Sequence, residues 1–103
     1  DVHGIVHITG GGIYENVPRI LPEGLTAKLD YTQVERPKIF DAIAKWGNIE
    51  IKEMYGTFNM GIGMMLFLDE KDVPKARQLM EERGETVYEL GRVVKGEELE
   101  VCL

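Results

Sequence analysis

Three consecutive glycines, Gly10, Gly11 and Gly12, stand between a β-branched run, Ile5-Val6-His7-Ile8-Thr9, and a segment that reads as the start of a helix. That order, strand then glycine turn then helix, constrains the chain more than any other stretch. Glycine tolerates positive φ and lets a ligand come close to backbone N–H groups. A helix start adds unpaired donors and about half a positive charge. The stretch therefore suits an anion such as a phosphate; it equally suits a tight strand-to-helix turn that needs small residues. It is not a P-loop, because no Gly-Lys-Ser/Thr follows, and it is not GxGxxG, because the glycines are adjacent. Gly11 is expected to be the least replaceable of the three, since a side chain at Gly10 or Gly12 has room to point away from the turn.

The remaining composition narrows the class. At 103 residues the chain fits one domain with a small core. It shows neither a signal-peptide pattern nor an apolar run long enough to span a bilayer, and it reads as soluble and cytosolic. The single cysteine, Cys102, has no internal disulfide partner and is expected to be a buried apolar residue near a strand end. Net charge is −6. From Asp69 onward ten acidic residues face six basic ones, against eight and six in residues 1 to 68. A nucleic-acid surface would need a basic stripe, which this distribution lacks. The more neutral N-terminal part, with the glycines and Arg19, is the better place for a small anionic ligand.

Taken in order, residues 1 to 9 alternate as a strand with His3, Ile5, His7 and Thr9 on one face. Four positions along a strand span about 13 Å, too far for His3 and His7 to converge on one metal ion. They read as hydrogen-bonded histidines, with His7 nearer the mouth of the loop. Residues 13 to 21 read as a short helix with Asn16 as N-cap and Pro18 in the first turn. Leu25 to Asp30 alternates as a half-buried strand. Pro37 opens a helix whose stripe Ile39, Phe40, Ile43 and Trp46 is expected to be core, ending at Gly47-Asn48. Residues 49 to 58 fit either a strand or a short helix. Met60 to Leu68 is apolar on both faces and is expected to be a central strand covered on both sides. Asp69 or Asp72 caps a helix to about Arg83, with Val73, Ala76, Leu79 and Met80 inward and Gly84 at C′. Thr86 to Val94 and Leu99 to Leu103 are expected to form a hairpin around Lys95-Gly96-Glu97. The whole indicates an α+β domain with a mixed sheet and helices on both faces.

Two motifs, HITGGGIYENVPRILPEG and NIEIKEMYGTFNMGIGM, stand together at a distinctive spacing. Over about Val2 to Val94 they closely resemble the C-terminal domain of the phosphoribosylformylglycinamidine cyclo-ligase (AIR synthetase) family, with its α/β/α layers. One departure is Gly56, where bacterial members usually carry a basic residue. The resemblance implies purine biosynthesis: ATP activates the formyl amide oxygen of formylglycinamidine ribonucleotide, an internal nitrogen attacks, and aminoimidazole ribonucleotide, ADP and phosphate result. It implies that ATP and Mg2+ bind mainly on an N-terminal domain that also forms a homodimer. Residues 1 to 103 would then be a fragment of a longer enzyme, with no cofactor of its own.

Carried onto this chain, the resemblance assigns Thr9, Gly10, Gly11 and Gly12 to a phosphate, with Asn16 and Arg19 supporting. His7 and Asn59 would line the cleft toward the missing domain as catalytic residues. For His7, hydrogen bonding and titration are both open; Asn59 fits a turn residue equally well. Two other readings compete with the enzyme fragment. One is a free-standing module that binds a phosphorylated metabolite for regulation; the other is a structural domain whose glycines only turn the chain.

Overall fold

The computed structural model describes residues 2–103. Strand β1 (Val2–His7) leads through the glycines into helix α1 (Gly12–Asn16) and a 3-10 turn, Pro18–Ile20. Then follow β2 (Leu25–Asp30), α2 (Lys38–Gly47), α3 (Ile51–Tyr55), β3 (Met64–Leu68), a second 3-10 turn at Glu70–Asp72, α4 (Val73–Glu82), β4 (Gly91–Lys95) and β5 (Glu100–Cys102). The class is α+β. The strands divide between two sheets: an antiparallel ribbon β1–β3, and a mixed sheet in the order β4-β2-β5.

The last two strands do not form the expected hairpin. β2 inserts between them, antiparallel to β4 and parallel to β5. The turn at Gly96 forms as its composition suggests, but its N–H bonds the carbonyl of Gly24 at the foot of β2 rather than closing a local ladder. A parallel partner such as β5 needs a long crossover, which no local turn signal encodes.

Local chemistry explains where the helices stop. Asn48, in the left-handed conformation at φ 52°, ends α2, and the N–H of Ile49 reaches back to Ala44 at 2.9 Å. Gly84, at φ 87°, ends α4 in the same manner, with Glu85 N–H bonding the Met80 carbonyl at 3.1 Å. Asp69 precedes the second 3-10 turn and Asp72 precedes α4, but neither side chain makes a capping bond. Residues 51–55 resolve as helix.

One core joins the two sheets. Val6 from β1 and Ile8 just after it, Ile13 and Val17 from the α1 region, Ala27 and Leu29 from β2, and Met54, Met60, Ile62 and Met65 close around it. Ile13 and Val17 lie one turn apart on the same side and are fully buried. Each such aliphatic side chain contributes about 1.5–3 kcal/mol on burial. They fasten the segment after the glycines to the body.

Several expected core positions are bare. Trp46 is 79% exposed and Ile39 is also outside, because α2 meets the body through Phe40, Ile43 and Ala44 and its contact with α3; on α4, Leu79 is likewise exposed. Cys102 is exposed on β5 rather than buried. β3 is not a central strand: among the described residues it pairs only with β1, and its Met64 side faces outward.

Candidate functional site

The glycine turn is held from inside by one side chain. Asn16 sits at the end of α1, not at its start, and is 6% exposed. Its Nδ2 donates to the carbonyls of Gly12 at 2.7 Å, Thr9 at 3.2 Å and, more weakly, Gly10 at 3.4 Å. Its Oδ1 accepts the Thr9 hydroxyl at 3.2 Å. The expected N-cap role is thus replaced by a brace that gathers carbonyls inward. An N-cap side chain accepts bonds from the following N–H groups, whereas the Asn16 amide donates backward to the residues before it. The N–H of Gly12 bonds the Thr9 carbonyl at 3.0 Å. Those of Gly10 and Gly11 have no backbone acceptor among the described residues.

Two of the glycines require their lack of a side chain. Gly11 and Gly12 are left-handed, at φ 94° and 62°. A Cβ on Gly12 would collide with the carbonyl oxygen of Tyr55, which is backbone and cannot swing aside. At Gly11 it would meet Glu15, whose carboxylate can swing aside but whose Cβ, at 2.9 Å, cannot, and at Gly10 nothing lies within 4 Å. The least replaceable glycine is therefore Gly12, not Gly11. The pattern of three glycines gave no hint of this, because the deciding atom belongs to α3.

The remaining site residues fall into two groups. Arg19 pairs with Glu15 one helical turn away, and both stay largely exposed. The i, i+4 spacing signals this pair in the sequence, yet Glu15 was not among the expected site residues. It places a carboxylate over Gly11, so any anion approaching the loop meets that charge partly neutralised by Arg19. His7 is exposed at the end of β1 opposite Met64, on the strand face that leads to Thr9. Asn59 is half-buried, and its Oδ1 accepts the N–H of Gly61 at 2.9 Å across Met60, a buried residue held at φ 54°. It therefore works as a turn residue of the segment that backs the loop. The N–H of Ile8 ties that segment to β1 through the Gly63 carbonyl at 2.8 Å.

A tyrosine cluster supports the loop from behind. Tyr31 and Tyr55 meet edge to face at 5.2 Å between centroids, and the Tyr55 hydroxyl accepts Arg36 Nη1 at 3.2 Å. Lys52 lies over the ring of Tyr14 at 5.9 Å. Burial pushes the Tyr31 phenol up, with a further contribution from Tyr55, and its buried hydroxyl has no hydrogen-bond partner among the described residues. The Tyr31 phenol therefore stays neutral at physiological pH and acts as packing. Among the described residues no group of three or more His, Cys, Asp or Glu side chains is placed to hold a metal ion. No helix of the described residues is long and apolar enough to cross a membrane.

This is an α+β module with a braced glycine turn between its first strand and first helix. Its sequence matches the profile described as "AIR synthase related protein, C-terminal domain" over residues 1–103, and the chain belongs to that family. It is 52% identical over 91 residues to a phosphoribosylformylglycinamidine cyclo-ligase of Staphylococcus aureus strain MRSA252, which covers 88% of this chain and 27% of that protein. The enzyme of the same name from Caldanaerobacter subterraneus subsp. tengcongensis is 50% identical over 96 residues, or 93% of this chain and 29% of the relative. The chain thus spans between a quarter and a third of the length of these relatives.

Proposed function

We propose that this chain is the C-terminal domain of an ATP-dependent cyclo-ligase that converts formylglycinamidine ribonucleotide to aminoimidazole ribonucleotide, ADP and phosphate. In that reaction ATP activates the formyl amide oxygen, an internal nitrogen attacks the carbon, and the oxygen leaves with phosphate as the ring closes. In this reading ATP and Mg2+ are held mainly by the rest of the enzyme, as the family resemblance implies. Homodimer contacts belong there too, in a cytoplasmic protein. This domain contributes the glycine turn as a cradle for a phosphate of the substrate. Backbone N–H groups of Gly10 and Gly11 face the anion, Thr9 and Asn16 hold the turn, and Arg19 adds charge. His7 and Asn59 border the cleft, His7 as a hydrogen-bonding group.

What supports the reading above all is the Asn16 brace: three carbonyls drawn to one buried amide leave the turn with its acceptors inward and two N–H groups free. Anions bind such arrays of backbone donors. The test compares two proteins. The 103-residue chain alone is expected to release no ADP above a buffer blank when given ATP and formylglycinamidine ribonucleotide, whereas the longer parent protein turns over. Turnover by the isolated chain would overturn the division of labour; an inactive parent would overturn the assignment.

A further inference from the structure

Two side-chain oxygens beside the glycine turn are left as acceptors without a donor, and a cradle for a bare anion has no use for them. The first belongs to Thr9. A backbone carbonyl can only accept, so the Asn16 nitrogen faces the carbonyls of Gly12 and Thr9, and its oxygen faces the Thr9 hydroxyl. That hydroxyl gives its one proton to Asn16 and keeps its lone pairs for whatever lies outside, where Thr9 is exposed. The second is Oε2 of Glu15. Arg19 Nη2 holds the other carboxylate oxygen, Oε1, while Oε2 is the Glu15 atom nearest to where a Gly11 side chain would begin. It has no hydrogen-bond donor among the described residues. Helical spacing accounts for the pair with Arg19, but that pair engages one carboxylate oxygen and does not require the other to sit over Gly11. Toward a bare phosphate the arrangement is a handicap, since Oε2 repels the anion that the Gly10 and Gly11 N–H groups attract.

We infer that Glu15 is a specificity-determining residue, which selects a phosphate ester with neighbouring hydroxyl groups, as in a sugar phosphate, over a phosphate without them. The inference rests on the reading of the glycine turn as a phosphate cradle and names what the cradle discriminates. Donors and acceptors then match. Phosphate oxygens accept from the Gly10 and Gly11 N–H groups and from Arg19, and a hydroxyl of the same ligand donates to Glu15 Oε2, with Thr9 Oγ1 as a second acceptor. The repulsion that Glu15 imposes falls on every phosphate, whereas the hydrogen bond that offsets it is open only to a ligand with a hydroxyl. A site that hydrogen-bonds a hydroxyl rejects the analogue lacking it, because its own acceptor is left without a partner. The Glu15 side chain is 55% exposed, so water partly replaces the missing hydroxyl. The discrimination expected is therefore on the order of tenfold rather than the much larger ratios of buried sites.

Calorimetric titration of inorganic phosphate, methyl phosphate and ribose 5-phosphate into the full-length protein that carries this chain tests the inference. The wild-type protein should bind ribose 5-phosphate about tenfold more tightly than methyl phosphate, the lower end of what a hydrogen bond to a charged acceptor is worth. Glu15→Leu removes charge and acceptor together. Inorganic and methyl phosphate should then tighten about two- to fivefold as the repulsion is relieved, while ribose 5-phosphate should weaken about two- to tenfold. Neither a lost ion pair nor a loosened turn produces that reversal of sign, since each moves all the phosphates one way. Glu15→Gln keeps an acceptor without the charge; it should tighten the two simple phosphates and leave ribose 5-phosphate within about twofold. That variant also decides the matter if the leucine protein does not fold. Phosphates that shift together in these variants, or equal wild-type affinity for methyl phosphate and ribose 5-phosphate, would overturn the inference and leave the cradle standing. No binding of any of them to the wild-type protein would remove the cradle reading and this inference with it.

Discussion

Replacing Gly12 by alanine should be the most damaging single-methyl change in the glycine turn. The residue is left-handed at φ 62°, which costs an L side chain about 1–2 kcal/mol. The added Cβ also lands on the Tyr55 carbonyl oxygen, so either α1 or the end of α3 must shift, and overpacking of that kind costs about 1–3 kcal/mol. Together the two effects predict a loss of about 2–5 kcal/mol, a large fraction of the 5–15 kcal/mol available to a small domain. Gly11→Ala incurs the left-handed cost and meets Glu15, whose carboxylate can rotate away while its Cβ at 2.9 Å asks a small backbone shift, and should lose about 1–3 kcal/mol. Gly10→Ala meets nothing within 4 Å and should stay within about 0.5 kcal/mol of the parent sequence. Urea titration followed by far-UV circular dichroism measures all three. With a slope of about 1–3 kcal/mol per molar urea, the Gly12 variant should shift its midpoint by about 1 M or more, or fail to fold. A Gly12→Ala midpoint equal to that of Gly10→Ala would refute the packing argument.

Asn16→Asp replaces the buried donor with a carboxylate facing three carbonyls. The folded-state pKa of the new acid rises above its unfolded value near 3.9, so the protein is expected to hold its stability below that value and lose it as pH climbs through the folded pKa; a flat pH–stability profile would count against the brace. Tyr31→Phe deletes a buried hydroxyl with no partner among the described residues, and thermal unfolding should show a gain of about 1 kcal/mol or more. Tyr55→Phe, which loses the bond from Arg36, should show no such gain. Glu15→Gln removes the carboxylate above Gly11 and frees Arg19 from its pair; calorimetric titration of inorganic phosphate should show binding tightened roughly two- to fivefold, the worth of an exposed pair of about 0.5–1 kcal/mol.

What could be read in the sequence was what local chemistry determines. β2 appears over Leu25–Asp30 as its alternation indicates, and α2 stops at Gly47-Asn48 because asparagine tolerates the left-handed conformation there. The order of strand, glycine turn and helix at the candidate site was legible for the same reason. The direction of the Asn16 side chain was not. Asparagine serves equally as a donor or an acceptor near a turn, and only the position of the Gly12 carbonyl one turn earlier selects the donor role. Glu15 was missed although its spacing to Arg19 was in plain view, since nothing local says that its carboxylate folds over Gly11.

The larger misreadings share a different cause: they concern which surface meets which. Lys95-Gly96-Glu97 has the composition of a hairpin turn, and the chain does turn there. Yet β4 and β5 each prefer β2, whose Ala27 and Leu29 are buried and thus fix a central strand between them. Helical spacing put Ile39 and Trp46 on one stripe with Phe40 and Ile43 without revealing that only one edge of the stripe reaches the body. In β3 the misreading runs the other way. Its residues meet every requirement of a two-sided strand, and the chain by itself supplies one side. A sequence can be consistent at every local level and still conflict with its surroundings in one place, and in β3 the pairing with β1 and the position of the core decide which side is covered.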